Sequence, residues 1–312
     1  MPLEHSSSGR TYVLHPNGQR SHYVLNDFTD PWKPHETILI QHGFGRHSAF
    51  WYHWIPALSR HYRVARRDLR GHGYSGYPDQ KQTVSSTEDG IAENDKREED
   101  RDYEYNVDTI IGEIIDTLDQ LGLQKVHFLG ESTSGMLGEI LAARHPERLL
   151  SLTICSSPTH LPPPALQMFA FGHKDWPTAC RQLGARGWTE ALARVPGTIP
   201  ISDSGYLPWY LGQVEVGDGE GLAQYAEFLS TLDARPWLEK IKVPTLILSP
   251  TQSVAVKVED MEALRDRIPG SQLVPIDGPG HEIYVTQAEE CQQAFLGFLE
   301  GLKKKTDTAK LS

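Results

Sequence analysis

The chain predicts an α/β fold, and three observations carry that prediction. Short apolar runs of strand character alternate with helical patterns over 37–155 and again over 243–302. One of these runs, Val126-His127-Phe128-Leu129, passes through Gly130-Glu131-Ser132-Thr133-Ser134-Gly135 directly into a helical pattern. Over 158–221 the alternation breaks in a stretch rich in Trp, Pro and Gly. A chain of 312 residues has room for one large α/β domain carrying such an insertion.

The elements follow in order. Residues 11–14 and 22–25 flank Pro16-Asn17-Gly18, and the Asn-Gly pair favours a tight hairpin turn. Thr37-Ile38-Leu39-Ile40-Gln41 reads as a core strand, followed by an aromatic-rich helix over 48–59 and a strand over 62–65. Residues 107–118 place apolar side chains at i, i+3, i+4, i+7 and i+8, the signature of an amphipathic helix. A strand over 126–129, a helix over 133–144 and a strand over 149–155 come next. His145-Pro146 closes that helix, because the residue before proline resists the α region. After the insertion come a strand at Val243-Pro244-Thr245-Leu246-Ile247-Leu248, a helix over 259–267, a strand over 272–276 and a last helix over 287–302. Lys303-Lys304-Lys305 and the residues to 312 read as a solvated, flexible tail.

Composition narrows the function. Apolar content of 38% and charged content of 23% are ordinary for a soluble globular chain. A net charge of −11 argues against nucleic acid or an anionic membrane surface as partner. Over half of that excess lies in an acidic insertion at 85–104, which reads as a solvated loop. Cys155, Cys180 and Cys291 form no C-x-x-C pair and read as free thiols. The first residues lack the basic start and apolar core of a signal peptide, so a cytoplasmic setting is expected. The histidines show no H-E-x-x-H spacing or comparable ligand set, so no metal is expected. Gly71-His72-Gly73-Tyr74-Ser75-Gly76 matches the dinucleotide fingerprint, but Tyr77-Pro78 and a charged loop follow where a helix N-terminus would be needed to hold pyrophosphate. It reads as a tight turn, and no cofactor is expected.

The chemistry centres on Ser132. A sharp strand-to-helix turn lifts the serine Oγ clear of a sheet, and crowding there tolerates only small residues two positions either side, here Gly130 and Ser134. Three further motifs share the chain: His42-Gly43-Phe44-Gly45 after the strand at 37–41, Arg67-Asp68-Leu69-Arg70-Gly71-His72-Gly73-Tyr74-Ser75, and Gly278-Pro279-Gly280-His281 near the end. In this order they resemble the α/β-hydrolase superfamily over residues 10–300. The resemblance implies a mainly parallel twisted sheet with helices on both faces, built from 10–158 and 226–302, with a helical cap at 159–225. It implies Ser132 as nucleophile and His281 as general base, with the Phe44 and Thr133 N–H groups as oxyanion hole.

The family's acid is missing from its usual places. Alignment of Pro244-Thr245-Leu246-Ile247-Leu248-Ser249-Pro250-Thr251-Gln252-Ser253 with the strand-then-acid pattern sets Ser253 where an aspartate belongs. After the earlier strand the chain reads Cys155-Ser156-Ser157-Pro158, again without a carboxylate. Glu282, Asp277 and Glu259 are the candidate acids, and a Ser132–His281 dyad is the alternative. Gly43, Trp51, Trp176, Trp209 and Tyr210 are candidate pocket residues, and their aromatic character suits a hydrophobic small molecule. The expected reaction is cleavage of an ester, a lactone or an activated C–C bond. Two rivals stand beside it: a non-hydrolytic enzyme of the same fold (lyase, decarboxylase or cofactor-free oxygenase), and a ligand-binding protein without turnover. No membrane partner is expected, and a homodimer is left open.

Overall fold

The structure, a computed structural model, describes residues 3–6, 8–78, 80, 103–199 and 203–311. The acidic insertion expected at 85–104 lies outside the described residues except for Tyr103 and Glu104. The strands are β1 (Glu4–His5), β2 (Thr11–Leu14), β3 (Arg20–Asn26), β4 (Thr37–Gln41), β5 (Arg63–Arg67), β6 (Val126–Glu131), β7 (Leu149–Cys155), β8 (Thr245–Gln252) and β9 (Gln272–Pro279). They form one sheet in the order β1-β2-β3-β5-β4-β6-β7-β8-β9. The pairings β1–β2, β2–β3 and β3–β5 are antiparallel, and every pairing from β5–β4 to β8–β9 is parallel. The parallel strands β4 and β6 are buried along their whole length, as strands covered on both faces must be.

Helices α1 (Ile55–Leu58), α2 (Val107–Gln120), α3 (Thr133–Arg144), α8 (Val258–Arg267), α9 (Ile283–Thr286) and α10 (Ala288–Leu311) accompany the sheet. Asn106 starts α2 by accepting the Thr109 N–H, and the helix buries Ile110, Ile111, Ile114 and Leu118 as its periodicity predicts. The helix expected over 48–59 is instead a 3-10 segment, Ser48–Trp54, running into the single turn of α1. Trp51 and Trp54 stand three apart there, with ring centroids 5.0 Å from one another, and both are fully buried; tight winding puts such a pair on one side. The expected flexible tail is also different: α10 continues to Leu311, and Lys303 Nζ sits 4.2 Å from the centre of the Tyr62 ring and 3.6 Å from Glu36.

The insertion consists of α4 (Pro163–Ala170), α5 (Trp176–Ala193), α6 (Tyr206–Val214) and α7 (Gly219–Thr231). Its α7 runs past the expected limit at residue 225. The two connections to the sheet domain lie side by side, with His160 bridging Asp233 and the Ala234 N–H donating to the Thr159 carbonyl. That pairing places the ends of the insertion near 159 and 234. Helix α7 rests on the turn after β5, where a Cβ at Gly71 would fall on the Gly221 carbonyl. Gly71 and Gly73 take positive φ (72° and 53°) in that turn, and among the described residues the next helix starts only at Val107. The Gly71–Gly76 stretch is thus a packing turn under α7, as its sequence context predicts.

Candidate active site

The C-terminal ends of the parallel strands bring the sequence-predicted residues together. Ser132 follows β6 with φ 52° and ψ −126°, and its N–H donates to the Cys155 carbonyl at 2.9 Å. The small neighbours are required. A Cβ at Gly130 would fall on the Ser134 carbonyl, and one at Gly135 would fall on the Ser157 side chain. Position 134 accommodates a serine, whose hydroxyl donates to the His42 carbonyl at 2.6 Å and so ties the turn to the loop after β4. His42 itself is structural, with Nδ1 bonded to the Gly43 carbonyl and Nε2 accepting the Leu69 N–H.

His281 follows β9, three places from β6 in the sheet. At about 4.8 Å per strand that is roughly 14 Å, so the loop must carry the ring back across the sheet edge. Gly278 (φ 150°) and Gly280 (φ 88°) supply the backbone freedom. Two hydrogen bonds hold the loop: Gly280 N–H to the Gln252 carbonyl at 3.1 Å and His281 N–H to the Gly197 carbonyl at 3.0 Å. The ring is 6% exposed, and its Nε2 lies 3.0 Å from Ser132 Oγ. Burial, and then the positive charge of Arg46, push the imidazole down to about 3.

Among the described residues, no carboxylate meets the other ring nitrogen. The group at Nδ1 is the Ser253 hydroxyl, 3.2 Å away, in the place the strand alignment predicts for an acid. The three candidate carboxylates are elsewhere. Asp277 is exposed and accepts from Thr251 Oγ1 and Gln252 Nε2. Glu259 is exposed in the first turn of α8, where an acid complements the helix dipole. Glu282 is fully buried but turns away from its neighbour, because Arg46 and two tyrosines claim it. It accepts from Arg46 Nε at 2.8 Å and from Arg46 Nη2, from Tyr206 OH at 2.9 Å and from Tyr210 OH at 3.2 Å.

Arg46 and Glu131 are the members of this cluster that sequence reasoning missed. Glu131 ends β6, is 0% exposed, and accepts the Gly43 N–H on Oε2 at 2.6 Å. Its Oε1 has no hydrogen-bond partner among the described residues and lies 3.9 Å from both His281 Nε2 and Arg46 Nη1. Burial pushes the Glu131 carboxyl up, and Arg46 opposes the shift. The available signal was a carboxylate at the end of a run in which every other residue is apolar, Gly or His. Such a group needs a reason to be buried.

The loop after β4 completes the setting. A Cβ at Gly43 would lie 2.5 Å from Glu131 Oε2 and 2.8 Å from Ser132 Cβ, so only glycine fits between them. The amides of Phe44 and Thr133 meet no protein acceptor among the described residues. The Phe44 ring is buried against Trp176 (4.4 Å between centroids), Trp188 (5.0 Å) and His72 (5.1 Å). Trp176 is therefore packed into the seam between insertion and sheet domain. Tyr210 is buried through its bond to Glu282, while Trp209 is half-buried, stacked on Tyr206 and edge-on to Phe50. Trp51, expected in the pocket, lies in the core: it is 0% exposed and stacks on Tyr284 with centroids 4.4 Å apart. His47 is buried, with Nε2 3.2 Å from the Gln213 carbonyl of α6.

The chain belongs to the α/β hydrolase fold family, whose model matches residues 36–194. A protein of Stutzerimonas stutzeri provisionally assigned as the carbamate hydrolase RutD is 24% identical over 299 residues, covering 89% of this chain and 96% of that one. The 3-oxoadipate enol-lactonase 1 of Acinetobacter baylyi is 23% identical over 271 residues, 85% of this chain and 89% of its own. Among solved structures, the enol-lactonase from Burkholderia xenovorans LB400 superimposes with a TM-score of 0.71 at 22% identity, covering 96% of this chain and all of that one. These proteins share this chain's fold and bear hydrolase names. Among the described residues, no helix is long and apolar enough to cross a membrane.

Proposed function

We propose that this protein is a serine hydrolase that cleaves an ester, a lactone or an activated C–C bond in a hydrophobic small molecule. The observation that carries the reading is the 3.0 Å approach of His281 Nε2 to Ser132 Oγ at a turn with φ 52°. Ser132 Oγ attacks the carbonyl carbon, His281 takes the hydroxyl proton at Nε2 and returns it to the leaving group, and water releases the acyl enzyme in a second cycle. The unengaged N–H groups of Phe44 and Thr133 receive the oxyanion; donors of this kind are worth roughly 3–4 kcal/mol in the transition state. The helices of the insertion form the cap, and the aromatic groups it shares with the loop after β4 favour an apolar substrate. The names of the relatives, enol-lactonase and carbamate hydrolase, both denote hydrolysis at a carbonyl carbon, which supports this reading.

A second reading is favoured by one observation, the hydroxyl in place of a carboxylate at His281 Nδ1. In a non-hydrolytic enzyme of this fold, His281 serves as the acid–base group and Ser132 only positions substrate. Ser132→Ala separates the two. Assayed on a panel of aryl esters and lactones, the variant of a hydrolase loses about 10³-fold or more in kcat/KM. A loss under about tenfold would favour the second reading.

A further inference from the structure

We propose that Ser253 holds His281 in the tautomer that carries its hydrogen on Nε2, the reverse of what activation of Ser132 needs. A neutral imidazole has one donor nitrogen and one acceptor, and the partner of one nitrogen decides the role of the other. A serine hydroxyl has two lone pairs and a single hydrogen. Both lone pairs of Ser253 Oγ are taken, by the Ala255 N–H at 3.1 Å and the Val256 N–H at 3.2 Å. The remaining hydrogen has His281 Nδ1 as its neighbour, at 3.2 Å. Nδ1 therefore accepts, and Nε2 carries the ring hydrogen and presents it to Ser132 Oγ at 3.0 Å.

The other end of the ring agrees independently. Glu131 Oε1, buried and without a hydrogen-bond partner among the described residues, lies 3.9 Å from Nε2. With Glu131 ionised, the form Arg46 beside it favours, a carboxylate oxygen there attracts an N–H and repels a lone pair. An aspartate at 253 would reverse the arrangement, since a carboxylate only accepts and would draw the hydrogen to Nδ1. The ring is neutral near pH 7, because burial and Arg46 keep its proton affinity low. The tautomer is then the variable that sets how often Nε2 offers a lone pair.

This inference rests on the serine-hydrolase reading and narrows its substrate class. Before each attack the ring must gain a proton from water at Nδ1 and give the Nε2 proton to water, with no net change. Ser253 must also release one of its two amide bonds to become an acceptor. Only the fraction of molecules in the exchanged form attacks, which suits carbonyls reactive enough to need little help, such as strained lactones and esters of acidic alcohols.

The full-length protein carrying ¹⁵N-histidine tests the assignment by long-range proton–nitrogen correlation spectroscopy. His281 should show a protonated Nε2 and a bare Nδ1, whereas a protonated Nδ1 would overturn the proposal. In Ser253→Ala the population should move toward Nδ1–H, and an unmoved balance would remove Ser253 as its cause. Ser253→Asp should invert the tautomer and speed phosphonylation of Ser132 by a fluorophosphonate tenfold or more. Inversion without faster phosphonylation would show that the tautomer does not limit the serine. If neither wild type nor variant is phosphonylated while the spectra are as expected, the tautomer assignment stands and the nucleophile reading fails.

Discussion

Between β4 and β6 a single missing methyl group keeps the site in register. Gly43 lies where a Cβ would crowd both the Glu131 carboxylate and the Ser132 side chain. Gly43→Ala should therefore fold and yet lose about 10²-fold in kcat/KM, the scale of loss expected when reacting groups shift by an ångström. An unchanged rate on an activated ester would show that Glu131 and Ser132 are not so constrained. Much at this scale was legible in the sequence: Gly130, Ser134 and the Gly-Pro-Gly before His281 are small where backbones must approach or turn. The alignment also set Ser253 at the acid position, where the structure finds its hydroxyl beside His281. What could not be read was direction. Glu282 adjoins His281 in the chain, yet its carboxylate serves Arg46 and two tyrosines contributed by α6, some 70 residues away. Glu131 was hidden as the unconstrained letter of the serine motif, and its meaning comes only from the neighbouring strand end that supplies the Gly43 N–H.

Helix and strand types were legible wherever a pattern ran long enough. The period of α2 and the apolar runs of β4, β6 and β7 left little choice. The segment at Ser48 is a 3-10 stretch with non-helical dihedrals at Trp51 (φ −97°, ψ 16°), a departure that its run of apolar aromatics does not reveal. The ends of the insertion were hidden as well, since they are set by a bridge between His160 and Asp233 that no local pattern records. Burial also divides the aromatics of the insertion that the sequence grouped together. Trp176 is 2% exposed and packs against Phe44, Phe169 and Trp188, so Trp176→Ala should cost roughly 3–5 kcal/mol of stability. Trp209 is only half-buried, so Trp209→Ala should cost clearly less and act mainly on KM for bulky substrates. Urea denaturation of the two variants checks this, and equal losses of stability would place both residues in one packed core.

For the molecule as a whole, buried histidines set the response to acid. Burial holds His15 at about 4, and likewise His72 at about 4 and His281 at about 3. In the unfolded chain a histidine takes up its proton near pH 6.5, so between about 6.5 and 4 the unfolded state binds protons that the folded state refuses. Each such group then removes about 1.4 kcal/mol of stability per pH unit of descent. Glu113 adds to this lower down: although burial opposes it, Arg70, His15 and Arg67 hold its carboxyl at about 2. Stability it contributes is present above the ordinary carboxylate value and is lost as pH falls toward 2. Thermal unfolding should thus be nearly level above pH 7 and should drop steeply from pH 6 to pH 4. A melting temperature that stays level down to pH 4 would mean that these rings are solvated and already charged in the fold.

Hydrolysis at this site requires Ser132 as the attacking group. Incubation of the folded wild-type protein with a fluorophosphonate, followed by peptide mass spectrometry, reads this directly. The adduct should appear on the peptide carrying Ser132, build up slowly, and vanish in Ser132→Ala. Folded protein that stays unmodified at Ser132 after prolonged exposure, or an adduct on another residue, would contradict it.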